Sequence, residues 1–179
     1  KEGLNMDVQI INRDADTVYV EVALENLAGH KYPSGYPARR LFLQVLVTDP
    51  VSGEVLFSSG ELAADHSLMD EDSPFEPHYD IIRNEDQVQI YEMVMGDVNN
   101  DPTTVLERGA VHLKDNRLVP IGFSTSDAQY DSTAIIGAAV VDPNFNFEGG
   151  IQGTGTDKVR YHIPVDGFFG EVEVSVIAN

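Results

Sequence analysis

The sequence predicts an all-β fold, an antiparallel β-sandwich of the Ig-like or a related Greek-key type with long acidic loops. Apolar and polar residues alternate in several segments, of which residues 17–24 are an example. A period of two is the spacing of a strand with one buried face. Helical periodicity is confined to two short stretches, 61–69 and 103–109. Strands that recur after loops, with so little helix, are typical of sandwiches and barrels.

Eight segments carry the strand pattern, at residues 7–11, 17–24, 41–48, 54–57, 87–94, 134–141, 158–163 and 171–177. Segment 41–48 is apolar on both faces, which predicts a central strand. The Asp, Pro and Gly residues of 49–53 predict a turn that pairs it with 54–57 as a hairpin. Two long connections remain, 60–86 and 142–157, and loops of that length tend to be functional or mobile.

The chain length predicts one sandwich domain over residues 1–179, because domains commonly contain about 100–200 residues. The chain opens on a polar stretch without the features of a signal peptide and closes on a strand pattern. We therefore expect a fragment or mature domain of a longer protein. No apolar run approaches the ~20 residues of a membrane-spanning helix, so membrane insertion is not expected.

Charge and cysteine content exclude several functions. Thirty acidic residues against eleven basic ones give a formal net charge of −19. Nucleic acid and anionic membrane surfaces are therefore disfavoured partners, whereas solubility, cation binding or docking on a basic partner are favoured. The chain has no cysteine, which excludes disulfides, zinc–thiolate sites, thiol catalysis and covalent c-type haem attachment.

Residues 29–40 concentrate positive charge in a chain that has little of it. His30, Lys31, Arg39 and Arg40 lie within this glycine- and proline-containing stretch between two predicted strands. One interpretation is a contact for an anion or a protein partner, or a histidine offered to a metal outside the domain. The other is a rigid connection whose arginines pair with nearby carboxylates.

Asp97, Asn99 and Asp101 place oxygen ligands at alternate positions, as in the first half of a calcium-binding loop. The motif then fails, because Pro102 and Arg108 stand where glycine and a bidentate acid are expected. The alternatives are a calcium site completed by distant carboxylates and a turn capped by its own aspartate.

The five histidines show no ligand-pair spacing, and no catalytic motif is present. His78 alternates with two acidic residues, Glu76 and Asp80, so an extended segment could turn all three to one side. A histidine near carboxylates is more often a surface hydrogen-bonding group than a ligand, which is the interpretation we favour. The chain lacks the nucleophile-elbow, phosphate-loop and zinc-protease signatures. We therefore do not expect an enzyme.

Residues 26–43 resemble a segment of large multihaem cytochromes c that reads approximately Gly-His-Lys-x-Pro-[Thr/Ser]-Gly-x-Pro-x-Arg-Arg before an aromatic strand. Further pieces similar to that family follow in the same order, at 77–80, 86–92, 95–97, 113–123 and 157–161. The resemblance covers roughly residues 20–176. The ordered set is fairly specific, although each piece alone is not.

The resemblance implies a haem-free β domain, C-terminal to the haem-binding part of a multihaem cytochrome c. It implies an exported parent in the periplasm or outside the cell that transfers electrons, with haem only in a neighbouring domain or subunit. That haem-binding domain or subunit would be the partner. The domain would act as a non-catalytic accessory or docking module. His30 could also serve as a distal axial ligand to a neighbouring haem; packing alone is the role we favour.

Two other functions remain open. A stand-alone calcium-stabilised adhesion or carbohydrate-binding module would show calcium at Asp97, Asn99 and Asp101, or an aromatic platform at Tyr32, Tyr36 and Phe42. A carboxylate hydrolase would need a deep pocket holding an acid with a raised pKa, and no motif supports it.

Overall fold

A computed structural model describes residues 3–35, 38–69, 71 and 74–179 and confirms the all-β prediction. Its regular structure consists of strands and three short 3₁₀ turns. The strands are β1 Leu4–Arg13, β2 Thr17–Asn26, β3 Leu41–Thr48, β4 Val55–Ser59, β5 Ile81–Ile82, β6 Ile90–Tyr91, β7 Met93–Gly96, β8 Pro102–Thr103, β9 Val111–Asp115, β10 Phe147–Glu148, β11 Ile151–Gln152, β12 Thr156–Pro164 and β13 Glu173–Ala178. The 3₁₀ turns are Leu106–Arg108, Tyr130–Ser132 and Ala138–Val140.

The first sheet has the strand order β1-β2-β12-β5. β1 and β2 form a hairpin whose turn is fixed by Asp14, because its Oδ1 accepts hydrogen bonds from the N–H groups of Asp16 and Thr17 at 3.0 and 2.8 Å. β12 runs antiparallel to β2. β5 runs parallel to β12, so the sheet is not wholly antiparallel. The long chain between these two strands permits that direction.

The second sheet has the order β13-β3-β4, with β6 paired to the beginning of β3. β3 has a partner on each side, which confirms the central position expected for 41–48. The turn into β4 forms as expected, since Asp49 Oδ1 accepts the Val51 N–H at 2.8 Å and Gly53 takes a φ of +75°. That φ lies in the left-handed region that glycine adopts without strain.

The core lies between the inner faces of these two sheets. Every second residue of β2 is fully buried, and β3 and β12 alternate in the same way. The buried side chains include Val18, Val20, Val22, Leu24, Leu43, Val45, Val47, Val159, Tyr161 and Ile163. The assembly is therefore sandwich-like, as the alternation predicts; the finer Ig-like or Greek-key assignment stays a prediction.

Three segment predictions were wrong. Residues 134–141 form a 3₁₀ turn and a single bridge instead of a strand, because Gly137 has a φ of +91° and the following valines face solvent. Residues 87–94 divide into β6 and β7, because the Glu92 N–H donates to the Asn116 side chain at 2.9 Å rather than to a strand. Residues 61–69 form a bridged loop, not a helical turn.

Two small sheets complete the described part of the chain. β7 pairs with β8 and β9 in a three-stranded sheet, and β10 pairs with β11 as a hairpin inside the long connection 142–157. No helix among the described residues is both long and apolar enough to cross a bilayer.

Candidate functional site

The loop that carries His30 is held from inside by Asn26. This buried side chain donates its Nδ2 hydrogens to the carbonyls of His30 and Leu118 at 2.8 and 2.9 Å. Its Oδ1 accepts the Ala28 N–H at 2.8 Å. Tyr32 then forms a backbone bridge with Leu118, with N–H to carbonyl distances of 2.8 and 2.9 Å. These hydrogen bonds hold the backbone between Asn26 and Tyr32 in place, although the His30 side chain is exposed.

His30 is exposed, and its ring has a defined tautomer. Its Nδ1 lies 2.9 Å from the carbonyl oxygen of Lys31. A carbonyl oxygen can only accept, so the proton of the neutral ring is on Nδ1. Nε2 is left with its lone pair directed away from this contact. Metal-bound histidines commonly have this arrangement, in which the remote nitrogen donates to a carbonyl.

Lys31 turns inward. Its Nζ lies 2.8 Å from Asp115 Oδ2 and donates to the Ala134 carbonyl at 3.0 Å. Arg117 binds the same carboxylate through two nitrogens at 2.9 and 2.8 Å. Burial lowers the pKa of Lys31, against the attraction of Asp115. Burial alone would raise the pKa of Asp115, and the two cations hold it below its usual value.

The two arginines differ in their surroundings. Arg39 is exposed and donates to the Ser34 carbonyl at 3.3 Å, whereas Arg40 pairs with the Glu71 carboxylate. An anion or partner contact by Lys31, Arg39 and Arg40 stays a prediction. The Lys31 ammonium, however, is committed to an internal carboxylate. Tyr36, proposed above for an aromatic platform, lies outside the described residues.

Asp97 caps its own turn. Its Oδ1 accepts the N–H groups of Asn99 and Asp101 at 2.7 and 3.1 Å, and these hydrogen bonds lower its pKa. Asn100 has a φ of +66°, as expected for an asparagine at the left-handed position of a turn. The turn therefore accounts for these residues without a cation, and a calcium site here stays a prediction.

A buried polar cluster centred on His78 lies between the first sheet and the loop that follows the 3₁₀ turn at 138–140. His78 Nε2 is 3.0 Å from Asp142 Oδ2 and 3.7 Å from Asp157 Oδ2. His78 is 6% exposed, Asp142 8% and Asp157 0%. The expectation that His78 is a surface group was therefore wrong. Asp157 comes from β12, and Tyr91 of β6 donates its hydroxyl to Asp157 Oδ2 at 2.7 Å.

Two amides fix the proton of His78. The Nδ1 atom faces Gln89 Nε2 at 2.9 Å and Asn116 Nδ2 at 3.0 Å. Both amides are oriented by other bonds: Gln89 Oε1 accepts the Tyr79 N–H, and Asn116 Oδ1 accepts the Glu92 N–H, each at 2.9 Å. Nδ1 must therefore accept, and the neutral ring carries its hydrogen on Nε2, directed at Asp142.

This tautomer argues against a metal in the cluster. The Nε2 atom of His78 and one oxygen each of Asp142 and Asp157 lie within 4.8 Å of one another, which is close enough to share an ion. A metal at Nε2 would need the lone pair of that nitrogen, so the single proton of the neutral ring would have to move to Nδ1. There it would face two amide groups that are themselves donors. Metal-bound histidines instead place an acceptor at that position. The residues do not fit a metal, and they form a closed hydrogen-bond network.

The pKa values of the two carboxyl groups in the cluster are shifted in opposite directions. Burial raises the pKa of Asp157, only partly offset by His78 and Tyr91. Burial also acts on Asp142, but hydrogen bonds from His78 and the Asn144 N–H bring its pKa below the usual value. The pKa of Tyr91 is raised well above its usual value by burial and by the Asp157 charge. Asp157 is thus the carboxyl best suited to hold a proton.

Sequence reasoning missed this cluster. His78 and Asp142 are 64 residues apart, and neither lies in a ligand motif. The available signal was the alternation of Glu76, His78 and Asp80, of which the first two are buried. Asp80 is only partly buried and pairs with Arg160 at 3.0 Å. The alternation thus indicated an extended segment but not what it would contact.

Comparison with known proteins identifies a structural similarity to a multihaem cytochrome. No family model and no curated protein matches the chain. Among solved structures, the crystal structure of a penta-heme cytochrome c552 from Thermochromatium tepidum matches with a TM-score of 0.55 and 20% sequence identity. The match covers 99% of this chain and 32% of the cytochrome chain. The chain therefore shares a fold with about a third of that cytochrome's length.

Proposed function

We propose that the chain is a non-catalytic accessory domain of a multihaem c-type cytochrome that works outside the cytoplasm and packs against the haem-binding part. The observation that supports this most directly is the match of nearly the whole chain to one third of a penta-heme cytochrome. The ordered motifs described above point to the same family independently of the fold. With no cysteine, the chain has no means of thioether attachment, so any c-type haem belongs to a neighbouring domain or subunit.

The buried His78 cluster supports a role without catalysis. Its histidine and carboxylates are closed off from solvent, and their hydrogen bonds are made within the protein. A general acid or base must come within hydrogen-bond reach of a substrate proton. These groups instead join β6 and β12 to the loop at 142–146 and stabilise the domain.

The test is an intact mass and a haem absorption spectrum of the natural gene product, purified from its source. The proposal expects a mass well above 19.6 kDa and a c-type haem spectrum. A colourless protein close to 19.6 kDa would refute the proposal. It would favour a stand-alone calcium-stabilised adhesion or carbohydrate-binding module instead.

A more specific role follows for His30 within the same proposal, as a distal axial ligand to a haem of the neighbouring domain. The supporting observation is its geometry: an exposed ring, an Nδ1 proton bound to the Lys31 carbonyl, and an unprotonated Nε2. The loop backbone is fixed by Asn26, so the imidazole is already positioned for binding. Preorganisation of this kind reduces the entropy that ligation would cost.

The test for His30 uses the haem-containing parent. His30→Asn is expected to convert one haem from a low-spin to a high-spin spectrum, because an axial nitrogen is lost. The matched control is His66→Asn, at another exposed histidine; its φ of +66° suits asparagine. An unchanged haem spectrum in His30→Asn, together with unchanged assembly, leaves packing as the only role and refutes ligation.

A further inference from the structure

Two thioethers and an imidazole lie on one face of the small β8-β7-β9 sheet. Met93 and Met95 are two residues apart on β7, so their side chains project to the same side. His112 of β9 is the direct partner of Met95 in the antiparallel pair. The register of this pair shifts between Val94 and Met95, so the Met95–His112 contact lies at a β-bulge. The three residues nevertheless border a common space, because all of them line the same cavity.

All three side chains line one cavity of about 230 Å³, whose other walls are mainly apolar and include Val105 and Leu106. Among the described residues that line this cavity there is no carboxylate. His112 is exposed, and no hydrogen bond or ion pair involves its ring in the described part of the chain. An imidazole without a protein partner thus opens into a mainly apolar cavity that it shares with two sulfur atoms.

From this geometry we propose that Met93, Met95 and His112 form a binding site for a soft monovalent metal ion, Cu(I). Thioethers are soft ligands that select Cu(I), and imidazole suits copper as well. Ca²⁺ and Mg²⁺ require oxygen ligands, which this cavity does not supply as carboxylates. All three donors are neutral, which suits a singly charged ion. The site is separate from His30 and does not depend on the haem proposal.

One nearby cation affects the relative strength of the donors. Arg117 Nη2 lies 3.6 Å from the Met93 sulfur. The Arg117 charge is neutralised by Asp115, which binds it through two oxygens at 2.9 and 2.8 Å. The Met93 sulfur keeps a second lone pair for a metal, but it is the most weakly available donor. Met95 and His112 are therefore the ligands whose loss matters most.

The test is an anaerobic titration of the 179-residue chain with Cu(I), in competition with the chromogenic chelator bicinchoninate. We expect one equivalent of Cu(I) to be withdrawn from the chelator. Because the chain has no cysteine, no thiolate competes for the ion. Met95→Leu and His112→Asn should each weaken binding at least about tenfold. Leucine preserves the volume of methionine, and His112 is exposed, so both variants should keep the fold.

Matched controls are Met69→Leu and His66→Asn, which alter an exposed methionine and an exposed histidine elsewhere. Both controls should bind as the unaltered chain does. The proposal is overturned if the chain withdraws no Cu(I) from the chelator. It is also overturned if the controls lose as much affinity as the site variants, since binding would then be non-specific. Far-UV circular dichroism of each variant verifies that a loss of binding is not a loss of fold.

Discussion

Replacing Asp157 by asparagine should remove one contribution to the stability of the protein that decreases as the pH rises. Burial raises the pKa of Asp157 above its ordinary value of 3.8. As the pH rises above that value, the unfolded chain releases a proton that the folded protein retains. The stabilisation that this proton provides is therefore complete at low pH and is lost as the pH rises through the folded-state pKa. Asparagine has no proton to lose.

The magnitude follows from linkage for a single proton. While the folded state holds a proton that the unfolded state has released, the free energy of unfolding falls by about 1.4 kcal/mol per pH unit. The difference between the unaltered chain and Asp157→Asn should change by up to that amount per unit above pH 4. Asp142→Asn should show the opposite trend. The pKa of Asp142 is lowered, so its contribution is present above 3.8 and lost as the pH falls.

Urea unfolding of the three proteins from pH 3 to 8, followed by far-UV circular dichroism, measures both trends. Comparison of differences removes the general effect of the −19 charge, which acts on all three proteins almost equally. A stability difference for Asp157→Asn that stays constant with pH would contradict the reasoning. Curves for the two variants that run parallel would contradict it as well, because they would mean that both carboxyls ionise normally.

Two further predictions concern backbone geometry and buried charge. Gly60 and Gly53 both have a φ of +75°, but a Cβ at Gly60 would clash with the Leu43 carbonyl oxygen, whereas a Cβ at Gly53 would enter open space. Gly60→Ala should therefore lower the free energy of unfolding, measured in urea, by about 1–3 kcal/mol more than Gly53→Ala does. Equal losses of stability in the two variants would refute the clash. Lys114 is buried with its Nζ 3.0 Å from Glu92. Lys114→Met should lower the free energy of unfolding by about 3–5 kcal/mol, because it leaves the Glu92 carboxylate buried without its partner. Adding Glu92→Gln to this variant should recover part of the lost stability. If the double variant is no more stable than Lys114→Met, the ion pair does not account for the loss.

The main strands could be predicted because burial of one face leaves a period of two in the sequence. β2 and β3 show it most clearly, and both form where the alternation places them. Residues 134–141 show the limit of this reasoning, since an apolar run does not reveal that Gly137 turns the chain. β6 and β7 separate for a related reason. The Glu92 N–H donates to the Asn116 side chain, whereas in a continuous strand it would donate to a neighbouring strand.

The candidate sites were predictable only where a motif is local. The position and exposure of His30 follow from a short loop between two strands. The partners of His78 are Gln89 just before β6, Asp157 of β12 and residues of the loops near 116 and 142, so no short window of sequence contains them. Lys31 shows the same limit, because its partner Asp115 is 84 residues away. Tertiary contacts, not local patterns, decided both outcomes.

The pairing of β2 with β12 has a consequence for how the chain acquires its structure. These strands are separated by more than a hundred residues, yet they are neighbours along their whole length. A topology dominated by such distant pairings has a high contact order, and proteins of this kind fold slowly. Until residues 156–164 have been synthesised, the β1–β2 hairpin has no partner at the free edge of β2. A chain truncated before residue 156 would lose the strand that joins β2 to β5 and expose that edge to aggregation.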